Sequence, residues 1–223
     1  MSWESSAAYY EGLNKGVQAR LGGLHSAKVV LASVDFAEVT ACQQADDWER
    51  AGDILAEAAR GVEKAGADFI LLCATTFHRV YDAVAAAVSV PVLHLADVLA
   101  EKCNTLGITT VGFLSTAYTM ENEFFAQRIS DAGIDVNLPD SLHIETLDSI
   151  IYNELVFRTV DAGSRRRVVA IVDELWDGGA QGVILGASEL SLLVRPEDVD
   201  VPVLDVITVH VEAALDRAFA TGA

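Results

Sequence analysis

Cys73 ends an apolar run, Phe69-Ile70-Leu71-Leu72, and three small residues follow it: Ala74, Thr75 and Thr76. A second run of the same shape, Val183-Ile184-Leu185, leads into Gly186, Ala187, Ser188 and Glu189. Each run is preceded by a Gly-Ala pair, Gly66-Ala67 and Gly179-Ala180, and each is followed by a Val-Pro-Val-Leu segment, at 90–93 and 201–204. Pro91 and Pro202 stand about half the chain apart. A duplicated α/β unit of this kind sets two strand ends face to face across a cleft, and the chemistry depends on what each end carries. A thiol at the carboxyl end of a strand, just ahead of a helix N-terminus, is placed to act as a thiolate beside an anionic substrate. The helix offers free N–H groups and the positive end of its dipole. An isolated buried cysteine is more often packing than chemistry, so the case for Cys73 rests on its position.

Other polar residues gather near the same strand ends, where open parallel sheets form their sites. Ser115, Thr116 and Thr119 follow the first strand of the second half and suit a carboxylate. Gln43, or its neighbour Gln44, either reaches the substrate from a loop after Asp35-Phe36 or lies on a solvated helix start. Glu189 either supports the site or caps the helix that follows. His78 and His210 read as hydrogen-bonding residues inside helices, Cys42 and Cys103 as inert thiols, and Arg165-Arg166-Arg167 as a solvated face near a helix start. The five histidines show no partner at metal-ligand spacing, and no metal motif is present.

These residues need elements to position them. The apolar patterns predict helices over 5–21, 46–65, 77–88, 97–104, 118–132, 144–157, 164–176 and 206–220. They predict strands over 27–33, 69–73, 92–95, 110–114, 135–137, 183–186 and 203–205. Gly66 falls where a helix C-terminus needs a glycine. Alternating β and α implies parallel sheets with right-handed crossovers. No low-complexity linker separates two parts. Tight crossings near Ala96 and Asp205 divide the chain into a first domain, 1–96 with 206–223, and a second, 97–205.

Composition narrows the function. The chain has 223 residues and a net charge of −18, which opposes nucleic acid and anionic membrane surfaces. A small acidic substrate is still compatible with that charge, because a pocket can be locally positive. No apolar run approaches the ~20 residues of a membrane span, and the first residues do not form a signal peptide. Three cysteines, an odd number without paired spacing, suit a reducing cytoplasm.

Taken in order, several segments resemble the aspartate/glutamate racemase superfamily, and its aspartate racemase branch in particular. They are Met1-Ser2-Trp3-Glu4-Ser5-Ser6-Ala7-Ala8-Tyr9-Tyr10, Leu24-His25-Ser26, Ser33-Val34-Asp35-Phe36, Cys73-Ala74-Thr75-Thr76-Phe77-His78, Ser115-Thr116-Ala117-Tyr118-Thr119-Met120, Gly186-Ala187-Ser188-Glu189 and Val209-His210. The resemblance covers essentially the whole chain. It implies an α/β fold of two pseudo-symmetric domains, each a parallel sheet flanked by helices, with the active site in the cleft between them. It also implies a homodimer and a cofactor-independent racemase. In such enzymes one cysteine thiolate removes the Cα proton and a second, on the opposite face, returns one. By the same resemblance Cys73 is the acid/base. The substrate contacts expected around it are Trp3, Gln43, Ala74, Thr75, Thr76, Ser115, Thr116, Thr119, Ser188 and Glu189.

The chain departs from the family pattern in four places. The second cysteine of the family's Gly-Cys-Thr-Glu is Ala187. An asparagine common in the first motif is Thr75. A lysine that some members carry after Glu154-Leu155 has no clear counterpart, Arg158 being the nearest cation. The family begins with a strand and two glycines ahead of the segment that starts here at Met1. The expectation is therefore a central strand of the first sheet contributed by roughly ten further residues, or filled from elsewhere. Ala187 carries no proton, so the two-thiol mechanism cannot run as written. The readings that follow are an impaired or inactivated racemase, a one-cysteine lyase, decarboxylase or isomerase on a small dicarboxylic acid, or a catalytically dead acid-binding homologue.

Overall fold

A computed structural model describes residues 1–220. The helices in chain order are α1 (Trp3–Leu21), α2 (Phe36–Gln44), α3 (Trp48–Lys64), α4 (Tyr81–Ala86), α5 (Leu95–Leu106), α6 (Ala117–Glu121), α7 (Phe124–Asp131), α8 (Ser141–Asn153), α9 (Ala162–Asp177) and α10 (Val206–Ala220). The strands are β1 (Ile70–Leu71), β2 (Val92–Leu93), β3 (Thr110–Leu114), β4 (Asp135–Asn137), β5 (Val183–Leu185) and β6 (Val203–Asp205). The chain forms two compact units, one of Met1–Leu95 with His210–Ala223 and the other of Ala96–Val209. The boundary therefore falls inside α10 rather than ahead of it.

In the first unit β1 and β2 pair in parallel, with Ile70 opposite Val92 and Leu71 opposite Leu93. Helix α3 packs beside them because its apolar residues recur on one face: Ala51, Leu55 and Ala59 are all buried. Asp47 caps its first turn by accepting from the Arg50 amide at 3.0 Å. Gly66 leaves the helix at φ 95°, a conformation that only glycine adopts without strain.

The second unit holds a four-stranded parallel sheet in the order β4-β3-β5-β6. Val183, Ile184 and Leu185 are buried without alternation, as a sheet covered on both faces requires. Gly179, after α9, takes φ 97°, matching Gly66 after α3. The two helix-to-strand connections of the repeat are thus built the same way.

Several elements differ from their sequence expectation. The strand expected over 27–33 does not form: Val29, Val30 and Leu31 are exposed, and the bond found is Ala27 N to Asn14 Oδ1. β-propensity alone makes no strand, because the ladder needs a partner, and 27–33 pairs with none among the described residues. An unexpected helix, α2, starts where Asp35 caps the Ala37 amide. The helix expected over 77–88 is a 3-10 turn, Thr76–Val80, followed by α4. The helix expected over 118–132 breaks between α6 and α7, where Asn122 leaves helical geometry and its amide bonds the Tyr118 carbonyl. The stretch expected over 144–157 is α8 followed by a 3-10 turn, Leu155–Phe157.

Candidate active site

In the first unit Cys73 stands two residues past the end of β1, as a free thiol. Its Sγ lies 4.0 Å from the Leu71 carbonyl, and the Met1 ammonium donates to the Cys73 carbonyl. Burial pushes the thiol up to about 11, with the Met1 ammonium opposing that shift in part. This corrects the expectation of a thiol lowered by a helix N-terminus. The element that follows is a five-residue 3-10 turn, too short to carry a useful dipole, and removal from water dominates. Thr75 is buried and starts that turn, and Thr76 is its first residue. The Ala74 carbonyl accepts from His78 Nδ1 at 2.7 Å. Trp3 opens α1 and is largely exposed. Gln43 lies half-buried in the last turn of α2, neither in a loop nor at a helix start.

In the second unit Ser115 and Thr116 follow the end of β3, and Ala187 stands two residues past the end of β5. The strands pair with Leu114 opposite Leu185, and Gly186 N donates to Leu114 O at 2.6 Å. The Ser115-Thr116 and Ala187-Ser188 segments are therefore neighbours. A Cβ at Gly186 would come within 2.9 Å of the Leu114 carbonyl and strike the Phe113 ring, so the close approach needs glycine. Ser115 and Thr119 are buried, and the Thr116 and Thr119 hydroxyls bond each other at 3.0 Å. Ser188 Oγ donates to Glu189 Oε2 at 3.0 Å, so Glu189 binds its neighbour's hydroxyl on the turn Ser188–Leu192. Ala187 is buried and has nothing to exchange with a substrate.

Two residues of this end gave no sequence signal. Asp148, on α8, accepts from the Ala117 amide at 2.8 Å and so fixes the turn after Thr116. Tyr152, one turn further along, has its phenol raised first by burial and then by the charges of Asp148 and Glu189. The arginine run is less free than its sequence suggested, since Arg165 pairs with Asp198 at 3.2 Å and Arg167 bonds Ser164 Oγ at 2.8 Å.

Cys73 and Ala187 each stand two residues past a parallel strand and ahead of a five-residue 3-10 turn, but Ala187 adjoins its turn directly whereas Ala74 and Thr75 separate Cys73 from its own.

A model of the Asp/Glu/hydantoin racemase family matches residues 1–214. A Yersinia pestis protein described as a candidate Asp/Glu racemase is 42% identical, with a TM-score of 0.93 over 98% of this chain and 96% of that one. An aspartate racemase homologue from Pyrococcus horikoshii OT3 is 30% identical, with a TM-score of 0.88 over 98% of this chain and 95% of that one. The aspartate racemase of Picrophilus torridus shares the fold at 16% identity, with a TM-score of 0.75 over 96% of this chain and 89% of that one.

Proposed function

The chain belongs to the Asp/Glu/hydantoin racemase family, and on that basis we propose that it performs cofactor-independent proton transfer at the Cα of a small acidic amino acid. The observation that carries this reading is the position of Cys73, a free thiol two residues past β1 in a turn of small and hydroxylated residues. The Cys73 thiolate takes the Cα proton, leaving the electron pair delocalised into the adjacent carboxylate, and the same thiol returns a proton to the same face. Thr75, Thr76, Ser115, Thr116 and Thr119 offer hydroxyls for the substrate carboxylates, and Ser188 and Glu189 contribute from the second repeat. Trp3, Gln43 and Ala74 complete the proposed contacts.

Inversion requires a second proton carrier on the other face of the carbanion. Position 187 is where the family places it, and alanine has no proton. A hydroxyl at Ser188 is no substitute, because it is far less acidic than a thiol. The protein as written exchanges without inverting. In heavy water, deuterium should enter the Cα of one enantiomer of aspartate or glutamate only, with racemisation slower by at least about 10²-fold. Wash-in on both enantiomers at equal rates would defeat the assignment.

The missing second thiol also favours one other reading, a one-cysteine lyase, decarboxylase or isomerase on a small dicarboxylic acid. Turnover of such an acid, with no Cα exchange on any amino acid, selects it. A homologue that only binds acids would show neither reaction. We further propose a cytoplasmic homodimer. Among the described residues no helix is long and apolar enough to cross a membrane.

A further inference from the structure

Beneath the Cys73 turn, within the first unit, lie three buried histidines, His78, His94 and His210. The His78 and His94 rings are 4.6 Å apart, and those of His78 and His210 are 6.2 Å apart. The bonding partners of two of them define the tautomers. His78 Nδ1 faces the Ala74 carbonyl at 2.7 Å, and a carbonyl only accepts, so Nδ1 carries the hydrogen. The Leu95 amide donates to His78 Nε2 at 3.1 Å, so Nε2 is bare. His210 is held the other way round: Nε2 donates to the Leu93 carbonyl at 3.3 Å, and Nδ1 accepts from the Tyr9 hydroxyl at 2.9 Å.

We propose that His78 is a positioning residue for the reacting thiol: as the neutral Nδ1–H tautomer it ties the Ala74 carbonyl to the Leu95 amide and so sets the turn that presents Cys73. The geometry gives this bond a second consequence. The Ala74–Thr75 peptide is planar and trans, so holding its carbonyl toward His78 turns the Thr75 N–H the opposite way. That N–H donates to no described residue. One imidazole thus controls both the burial of the thiol and the direction of a backbone donor suited to an anion. The anchor for this control is the exit of β2, where His210 holds Leu93 and His78 holds Leu95. The inference rests on the reading of Cys73 as the reacting group.

The test separates the two ring nitrogens. An asparagine amide reproduces Nδ1, so His78→Asn keeps the donor to Ala74. A glutamine amide reproduces Nε2, so His78→Gln keeps the acceptor for Leu95 and releases the turn. Alkylation of Cys73 by iodoacetamide at pH 8 should rise at least about tenfold in His78→Gln, as the thiol regains water and its pKa falls back toward the ordinary value. In His78→Asn it should stay within about threefold of the parent. Equal rates in both variants, with equal losses in melting temperature, would reduce His78 to a core residue and overturn the proposal. Nitrogen-15 NMR of the unmodified protein supplies a readout that does not depend on the variants folding. It should find His78 as Nδ1–H and His210 as Nε2–H, and an Nε2–H His78 overturns the proposal as well. Aspartate is the probe for the functional reading: if it fails to protect parental Cys73 while the Gln/Asn contrast persists, the racemase assignment falls and the role of His78 stands.

Discussion

Tyr9 and His210 are 201 positions apart in the chain, and the Tyr9 hydroxyl meets His210 Nδ1 at 2.9 Å. The bond fastens α1 to α10, and His210 in turn fastens α10 to β2 through Leu93. Burial, with the nearby His78 adding to it, pushes the His210 imidazole down to about 3. Unfolded, the same ring titrates near 6.5, so between these values the unfolded chain binds a proton that the native chain does not. The stability from a neutral His210 is therefore complete above pH 6.5 and is lost as pH falls toward 3, by at most about 1.4 kcal/mol per pH unit. Urea unfolding at pH 7, 5 and 4 should show this decline, and His210→Gln should flatten it. An unchanged pH slope in the variant would mean that other groups cause the decline. Tyr9→Phe, which leaves Nδ1 without its donor, should cost about 1–3 kcal/mol at pH 7.

Cys73 should react as a buried thiol that is partly within reach of solvent. With its pKa near 11, the thiolate fraction grows about tenfold per pH unit through neutrality. Iodoacetamide should modify Cys73 before the buried Cys42 and Cys103, because it is the more accessible of the three. Its rate should climb steadily from pH 7 to pH 10. A plateau by pH 8 would show an activated thiolate and contradict the burial argument.

Gly186→Ala should be costly although it adds a single methyl. The new Cβ meets the Leu114 carbonyl and the Phe113 ring at the point where β5 hands over to the Ala187 turn. Overpacking of this kind typically costs about 1–3 kcal/mol. A melting temperature equal to the parent's would show that the β3–β5 edge has room to shift.

Ala187→Cys restores a proton carrier to the second repeat. Racemisation of aspartate or glutamate should rise by about 10²–10⁴-fold, the usual contribution of one general acid–base partner. Chiral chromatography of the product mixture reads the result directly. No gain on either amino acid, alongside turnover of another diacid by the parent, would transfer the assignment to one-base chemistry.

Light scattering should find the chain at twice 23.8 kDa. A mass of 23.8 kDa at every working concentration would remove the dimer.

Much of this protein was determined by sequence alone. The paired Gly-Ala starts, the apolar runs and the Val-Pro-Val-Leu segments announce a duplicated parallel α/β chain, because period and turn chemistry are local properties. The same local reading placed Cys73 at the last residue of its strand and Ala187 just past its own, and showed that Ala187 has no proton to give; the structure ends the first strand earlier, at Leu71. Tertiary structure decided what those positions are like. The Cys73 thiol is raised rather than lowered, since desolvation depends on the atoms packed around it and a 3-10 turn replaced the expected helix. The opposite tautomers of His78 and His210 depend on Leu95, Ala74, Leu93 and Tyr9, partners that no spacing rule connects. Asp148 became visible only when α8 packed against the Thr116 turn. Residues 27–33 show the converse. Their sequence suits a strand, but strand structure belongs to a pair of segments, and the second member of a pair is set by the fold.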